Sequence, residues 1–66
     1  MTPDRLREIG VELWGRRGWQ TRMAERLKVA ITTVQRWVAG AVPIPGPAEV
    51  ALEALLREKR RDGATG

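Results

Sequence analysis

The sequence predicts an all-α fold, a small four-helix domain formed as a single unit over residues 1–66. Three observations carry that prediction. Apolar residues recur at three- and four-residue spacing in four separate stretches, which is the helical period and not the strand period. Glycines and prolines cluster between those stretches. The composition, 42% hydrophobic and 30% charged, is that of a globular domain, and 66 residues suffice for one.

The first element opens at Thr2, whose side-chain oxygen suits an N-cap. Pro3 follows at the first helical position and Asp4 at the positive end of the helix dipole. Leu6, Ile9 and Leu13 then build one apolar face with Trp14 at its edge, so a helix is expected over about 3–14. Gly10 lies near the buried side, where a missing side chain permits close packing. Gly15-Arg16-Arg17-Gly18 breaks the pattern as a loop. Two short stripes come next, Met23, Ala24 and Leu27, then Val34, Trp37 and Val38. Lys28-Val29-Ala30 between them leaves room only for a tight turn, so two short helices joined by a turn are expected. Gly40 stops the second of them.

Val42-Pro43-Ile44-Pro45-Gly46-Pro47 cannot be helical inside, because three prolines remove donors and restrict the residues before them. Pro47 suits the start of a final helix over about 47–60. Its wheel gathers Ala48, Ala51, Leu52 and Leu55 on one face, with Leu56 at the margin and Val50 and Ala54 roughly opposite. Glu49, Glu53 and Glu58 read as a solvated face. Arg57 to Arg61 sets positive charge on the C-terminal turn, where the dipole favours it, and 62–66 is expected to be a frayed tail.

What is missing narrows the function. The chain has no Cys, His, Ser, Asn, Tyr or Phe. A zinc site loses its usual ligands, and Ser-His or Cys-His nucleophilic catalysis has no material, so neither an enzyme nor a metal or other cofactor is expected. No apolar run approaches the roughly 20 residues that span a bilayer, and no signal core is present, so a cytoplasmic protein without a membrane partner is expected. A domain this small also leans on tight helix packing or on a second subunit.

The charge is informative by position. Residues 16–40 hold six basic residues, Arg16, Arg17, Arg22, Arg26, Lys28 and Arg36, against Glu25 alone, a net of +5. The remainder holds six basic and seven acidic residues, a net of −1, which together account for the overall +4. Such clustering suits a polyanionic partner.

Residues 20–40 resemble the helix-turn-helix of the lambda-repressor-like (Cro/XRE) DNA-binding proteins. Gln20 opens the first helix, the small Ala24 follows four residues on, and apolar residues stand at Met23, Leu27, Val29, Val34 and Trp37. Gly40 and then Pro43 follow the second helix, as in that family. The likeness extends loosely to Leu6–Leu13 and Leu52–Leu56. Three positions depart from the pattern. Lys28 stands where the turn usually has Gly, Ala30 where a Ser or Thr usually caps the second helix, and Trp19 where a cap is expected before Gln20.

The resemblance implies that Ile31, Thr32, Gln35 and Arg36 contact base edges and that Gln20 contacts the phosphate backbone. The chemistry of these residues suits that assignment, since Gln makes paired hydrogen bonds to adenine and Arg to guanine. On the wheel, Thr32, Gln35 and Arg36 point away from Val34 and Trp37, which should be buried. Arg16, Arg17, Arg22 and Thr33 are further phosphate candidates. One recognition helix covers too few base pairs to select a site, so a homodimer on an inverted repeat of double-stranded DNA is expected. Val42, Ile44, Val50, Ala54 and Leu56 are the dimer-interface candidates. The expected function is a transcriptional repressor acting by promoter occlusion, of the kind found in phage and mobile elements, including anti-CRISPR-associated autorepressors. The alternative is a small helical adaptor or antitoxin whose basic face meets an acidic protein. A salt titration with duplex DNA separates the two.

Overall fold

The computed structural model describes residues 1–65 and contains helices α1 (Pro3–Trp14), α2 (Trp19–Leu27), α3 (Ile31–Ala39) and α4 (Gly46–Thr65). Strands are absent among the described residues. The all-α, four-helix class is therefore as expected.

Local chemistry explains the first three helices. The extended Thr2 accepts a hydrogen bond from the Arg5 N–H at 3.1 Å, Pro3 follows at N1, and Gly15 ends α1 with φ +89°. Helix α2 begins one residue earlier than its resemblance implied. Gly18 (φ +75°) takes the N-cap and Trp19 is the first helical residue, not the cap. Helices α2 and α3 then close in the same way. The Val29 N–H reaches back to the Ala24 carbonyl at 3.0 Å, and the Ala41 N–H to the Arg36 carbonyl at 3.0 Å. Each of these six-to-one bonds requires a left-handed residue before it. That residue is Gly40 (φ +75°) in α3 but Lys28 (φ +59°) in α2, so Lys28 adopts the left-handed backbone of the turn position usually held by Gly, at a cost in strain.

The core is built around α1, which packs against each of the other three helices, while α2 also packs on α3. Leu6, Ile9, Met23, Val34 and Leu52 are fully buried, with Leu56, Trp37, Ala24 and Trp19 nearly so. The α1–α2 crossing depends on Gly10. A Cβ there would lie 2.7 Å from Trp19 Cδ2 and 2.9 Å from Cζ3, and closer still to Cε3. The indole lies on bare α1 backbone, which fixes where α2 starts.

Helix α4 differs from expectation in three respects. It continues to Thr65 and does not end near 60, so 62–65 is helical, and Gly66 lies outside the described residues. Its buried edge is rotated, with Leu56 in the core and Leu55 only half-buried. Finally, Glu49 and Glu53 are half-buried and ion-paired, not a freely solvated face. The Glu49 carboxylate meets the Met1 ammonium, the Glu53 carboxylate the Arg5 guanidinium, and the Glu12 carboxylate the Arg60 guanidinium, at 3.4, 3.4 and 2.8 Å. All three pairs join residues 48 apart, so α1 and α4 run parallel and in register. This seam turns α4 and carries Leu56 inward.

The basic run on α4 thus serves a different helix end than expected. With α4 reaching Thr65, its last turn holds no basic residue, and neither does that of α1. Instead the Lys59 ammonium donates to the Glu12 carbonyl, one of the unpaired acceptors in the last turn of α1, while Arg60 grips the Glu12 carboxylate through two nitrogens. The Arg60 hydrogen bond holds the Glu12 carboxyl below its ordinary value against an opposing loss of hydration, and the Arg60, Lys59 and Arg5 charges act in the same direction as the hydrogen bond. The same hydrogen bond raises Arg60.

Candidate nucleic-acid interface

The outward side of α3 is polar. Val34 and Trp37 face the core, and Thr32, Gln35 and Arg36 are exposed, so the three-residue stagger expected from the helical wheel is present. Ile31 is half-buried and packs against the core cluster, while its remaining surface stays open. Thr33 is half-buried, and its N–H is occupied by the Ala30 carbonyl at 3.0 Å.

Beside this surface lies a shallow depression of about 250 Å³, where the start of α3 meets the start of α2. Arg16, Gln20, Ile31 and Gln35 line it together with Gly18 and Trp19. Residues far apart in sequence are thus assembled at one place. Thr21 also lines the depression and was not among the sequence candidates. Its signal was available, since Thr21 is in the first turn of α2 beside Gln20, but a lone exposed threonine carries no pattern. Arg17 and Arg22 are exposed without lining the depression, and Arg22 stands roughly across α2 from Gln20.

Two features give the depression positive character. Neither α2 nor α3 has a side-chain cap at its N-terminus, because Gly18 and Ala30 cannot provide one, whereas α1 is capped by Thr2. First-turn N–H groups and the positive dipole ends of two nine-residue helices therefore converge there. The second feature is the unneutralised charge of Arg16, which lines the depression itself, within a central segment whose other cations are also unpaired. Arg16, Arg17, Arg22, Arg26, Lys28 and Arg36 are all exposed, and among the described residues none of them forms an ion pair. Among the described residues, the ion pairs formed by Glu12, Glu49, Glu53 and Glu8 join α1, α4 and the N-terminal ammonium. Among the described residues no acidic cluster is placed to hold a metal ion.

The dimer candidates separate. Leu56 is 2% exposed and belongs to the core, so it is unavailable to a partner. Ile44 is half-buried against the core. Val42 and Val50 are exposed at 40% and 67%, but Val42 sits in a cleft with Met1, Pro3 and Gly40, and Val50 does not share it. Ala54 is half-buried beside Leu27 and Ala51. The five therefore do not form one patch, because the α1–α4 seam turns Leu56 away from Val50. No helix among the described residues is long and apolar enough to cross a membrane. No family model matches this chain, and neither a curated protein nor a solved structure does.

Proposed function

We propose that this chain binds double-stranded DNA in a sequence-specific manner and represses transcription by occluding a promoter, acting in the cytoplasm as a homodimer on an inverted repeat. The observation that carries the reading is the coincidence of three properties on one side of the molecule. These are an outward polar strip (Thr32, Gln35 and Arg36), two uncapped helix N-termini, and the guanidinium of Arg16, which has no ion-pair partner among the described residues. Uncapped N-termini and free guanidinium groups suit phosphate, while the polar strip suits base edges. The resemblance of residues 20–40 to lambda-repressor-like proteins supports the same reading.

In this reading α3 lies in the major groove. Gln35 and Arg36 contact adenine and guanine, Thr32 and the open part of Ile31 meet a thymine methyl, and Gln20, Thr21 and Arg16 hold the flanking phosphates. Arg17, Arg22 and Thr33 add backbone contacts. Two half-sites should lie about 10–11 base pairs apart, or a multiple of that.

Selecting bound duplexes from a random pool tests the proposal, because the recovered motif reports both preference and symmetry. Arg36→Ala should weaken the selected site by about 1–3 kcal/mol, roughly 5- to 150-fold, and relax one base position while far-UV circular dichroism stays unchanged. Affinity for random duplex should fall steeply with salt. A pool that yields no enriched motif, with binding fully lost at moderate salt, would favour the protein-adaptor alternative.

A further inference from the structure

We infer that the apolar groove between the end of α2 and α4 receives a second copy of this chain. The inference deepens the homodimer proposed above by assigning its surface, and its test contains no DNA. Two adjoining recesses of about 340 and 290 Å³ share Leu27 and Ala51 and make one continuous groove. Leu27 and Val29 form one wall, and Ala48, Ala51, Ala54 and Leu55 of α4 form the other. All six are half-buried, so apolar surface lies open along two turns or more of α4. Small alanine side chains allow another helix to come close.

Charge identifies the occupant. Arg26 and Glu58 line the second recess from opposite walls, both are exposed, and among the described residues neither forms an ion pair. A twofold contact is reciprocal: if one residue meets another across the axis, the second meets the first. A copy docked about such an axis brings Glu58 of the partner subunit to Arg26 and Arg26 of the partner subunit to Glu58. One groove carrying one charge of each sign is therefore self-complementary. The groove also contains Val29 of the α2–α3 turn and an edge of Trp37, so the same contact sets the separation of the two α3 helices.

Sedimentation equilibrium of the full chain, without DNA, tests this assignment. The mass should rise with concentration from 7.4 kDa toward twice that value. Ala51→Glu should keep the protein monomeric. Should that variant unfold, the surface charge variants decide. Arg26→Glu and Glu58→Arg should each weaken the dimer roughly tenfold or more by placing like charges together, and the combined Arg26→Glu/Glu58→Arg variant should restore it. A native chain that stays monomeric at every concentration leaves the groove to another protein and overturns the inference. So does a double variant no stronger than the singles. A dimer that passes these tests yet selects no DNA motif refutes the DNA-binding reading alone.

Discussion

Replacing Gly10 by alanine sets two effects of known sign against each other. Alanine in a helix interior is favoured over glycine by about 1 kcal/mol, because it restricts the unfolded chain. Opposing this, the new methyl would sit 2.7 Å from Trp19 Cδ2 and 2.9 Å from Cζ3. Carbon atoms prefer about 3.5–4.0 Å and Cε3 lies closer still, so the ring must retreat by more than about an ångström. Trp19 is only 6% exposed and packs in the core, so the rigid indole cannot give way alone, and α2 must move with it. Overpacking of this kind costs about 3 kcal/mol, leaving a net loss of about 2 kcal/mol. That is a large share of the roughly 3–10 kcal/mol available to a chain of this size. Tm should fall by about 8–16 °C. Thermal and urea unfolding, followed by circular dichroism and tryptophan fluorescence, measure this directly. Gly63→Ala is the control, since no atom lies within 4 Å of its Cβ, and it should be neutral or slightly stabilising. If Gly10→Ala proves as stable as the native chain, the α1–α2 crossing described here is wrong.

Three other predictions concern the caps and the seam. Lys28→Gly should stabilise the fold by about 1 kcal/mol, because the left-handed conformation is free of strain in glycine; an unchanged urea midpoint would refute the αL assignment. Ala30→Ser should add about 0.5–2 kcal/mol by capping α3, yet weaken duplex binding, since the hydroxyl takes up N–H groups proposed to face phosphate. Fluorescence anisotropy reads the second effect, and tighter binding would contradict it. Glu12→Gln should lower stability at neutral pH. The Glu12 carboxyl is held below its ordinary value of 4.5, so its contribution is present above that value and lost as pH falls through the lower folded-state value. The urea-midpoint gap between native and variant should therefore close in acid and shrink with salt, and a gap independent of pH would rule out the Glu12–Arg60 pair as its source.

Much of the fold was legible from residues within a turn of one another. Thr2 and Pro3 mark the start of α1, Gly40 marks the end of α3, and the stripes identify Leu6, Ile9, Met23, Ala24, Val34, Trp37 and Leu52 as core. The exposure of Thr32, Gln35 and Arg36 follows from the same period once Val34 and Trp37 are buried. The end of α4 was misread for a physical reason. A frayed tail is expected from 62 onward, but Lys59 and Arg60 tie the preceding turn to α1, and each further residue adds a backbone bond to a helix already nucleated.

Periodicity, capping and breakers act over three or four residues, so the order of the chain alone specifies four helices, their apolar edges and a basic central segment. Pairings across 48 residues lie outside that range. The parallel α1–α4 register, the inward turn of Leu56, and the meeting of Arg16 and Gln20 with Ile31 and Gln35 depend on which helices touch. Those contacts are selected by shape and charge complementarity between whole faces. A helical wheel describes a face without saying what it meets, and for that reason the placement of the candidate site emerges only when the helices are packed.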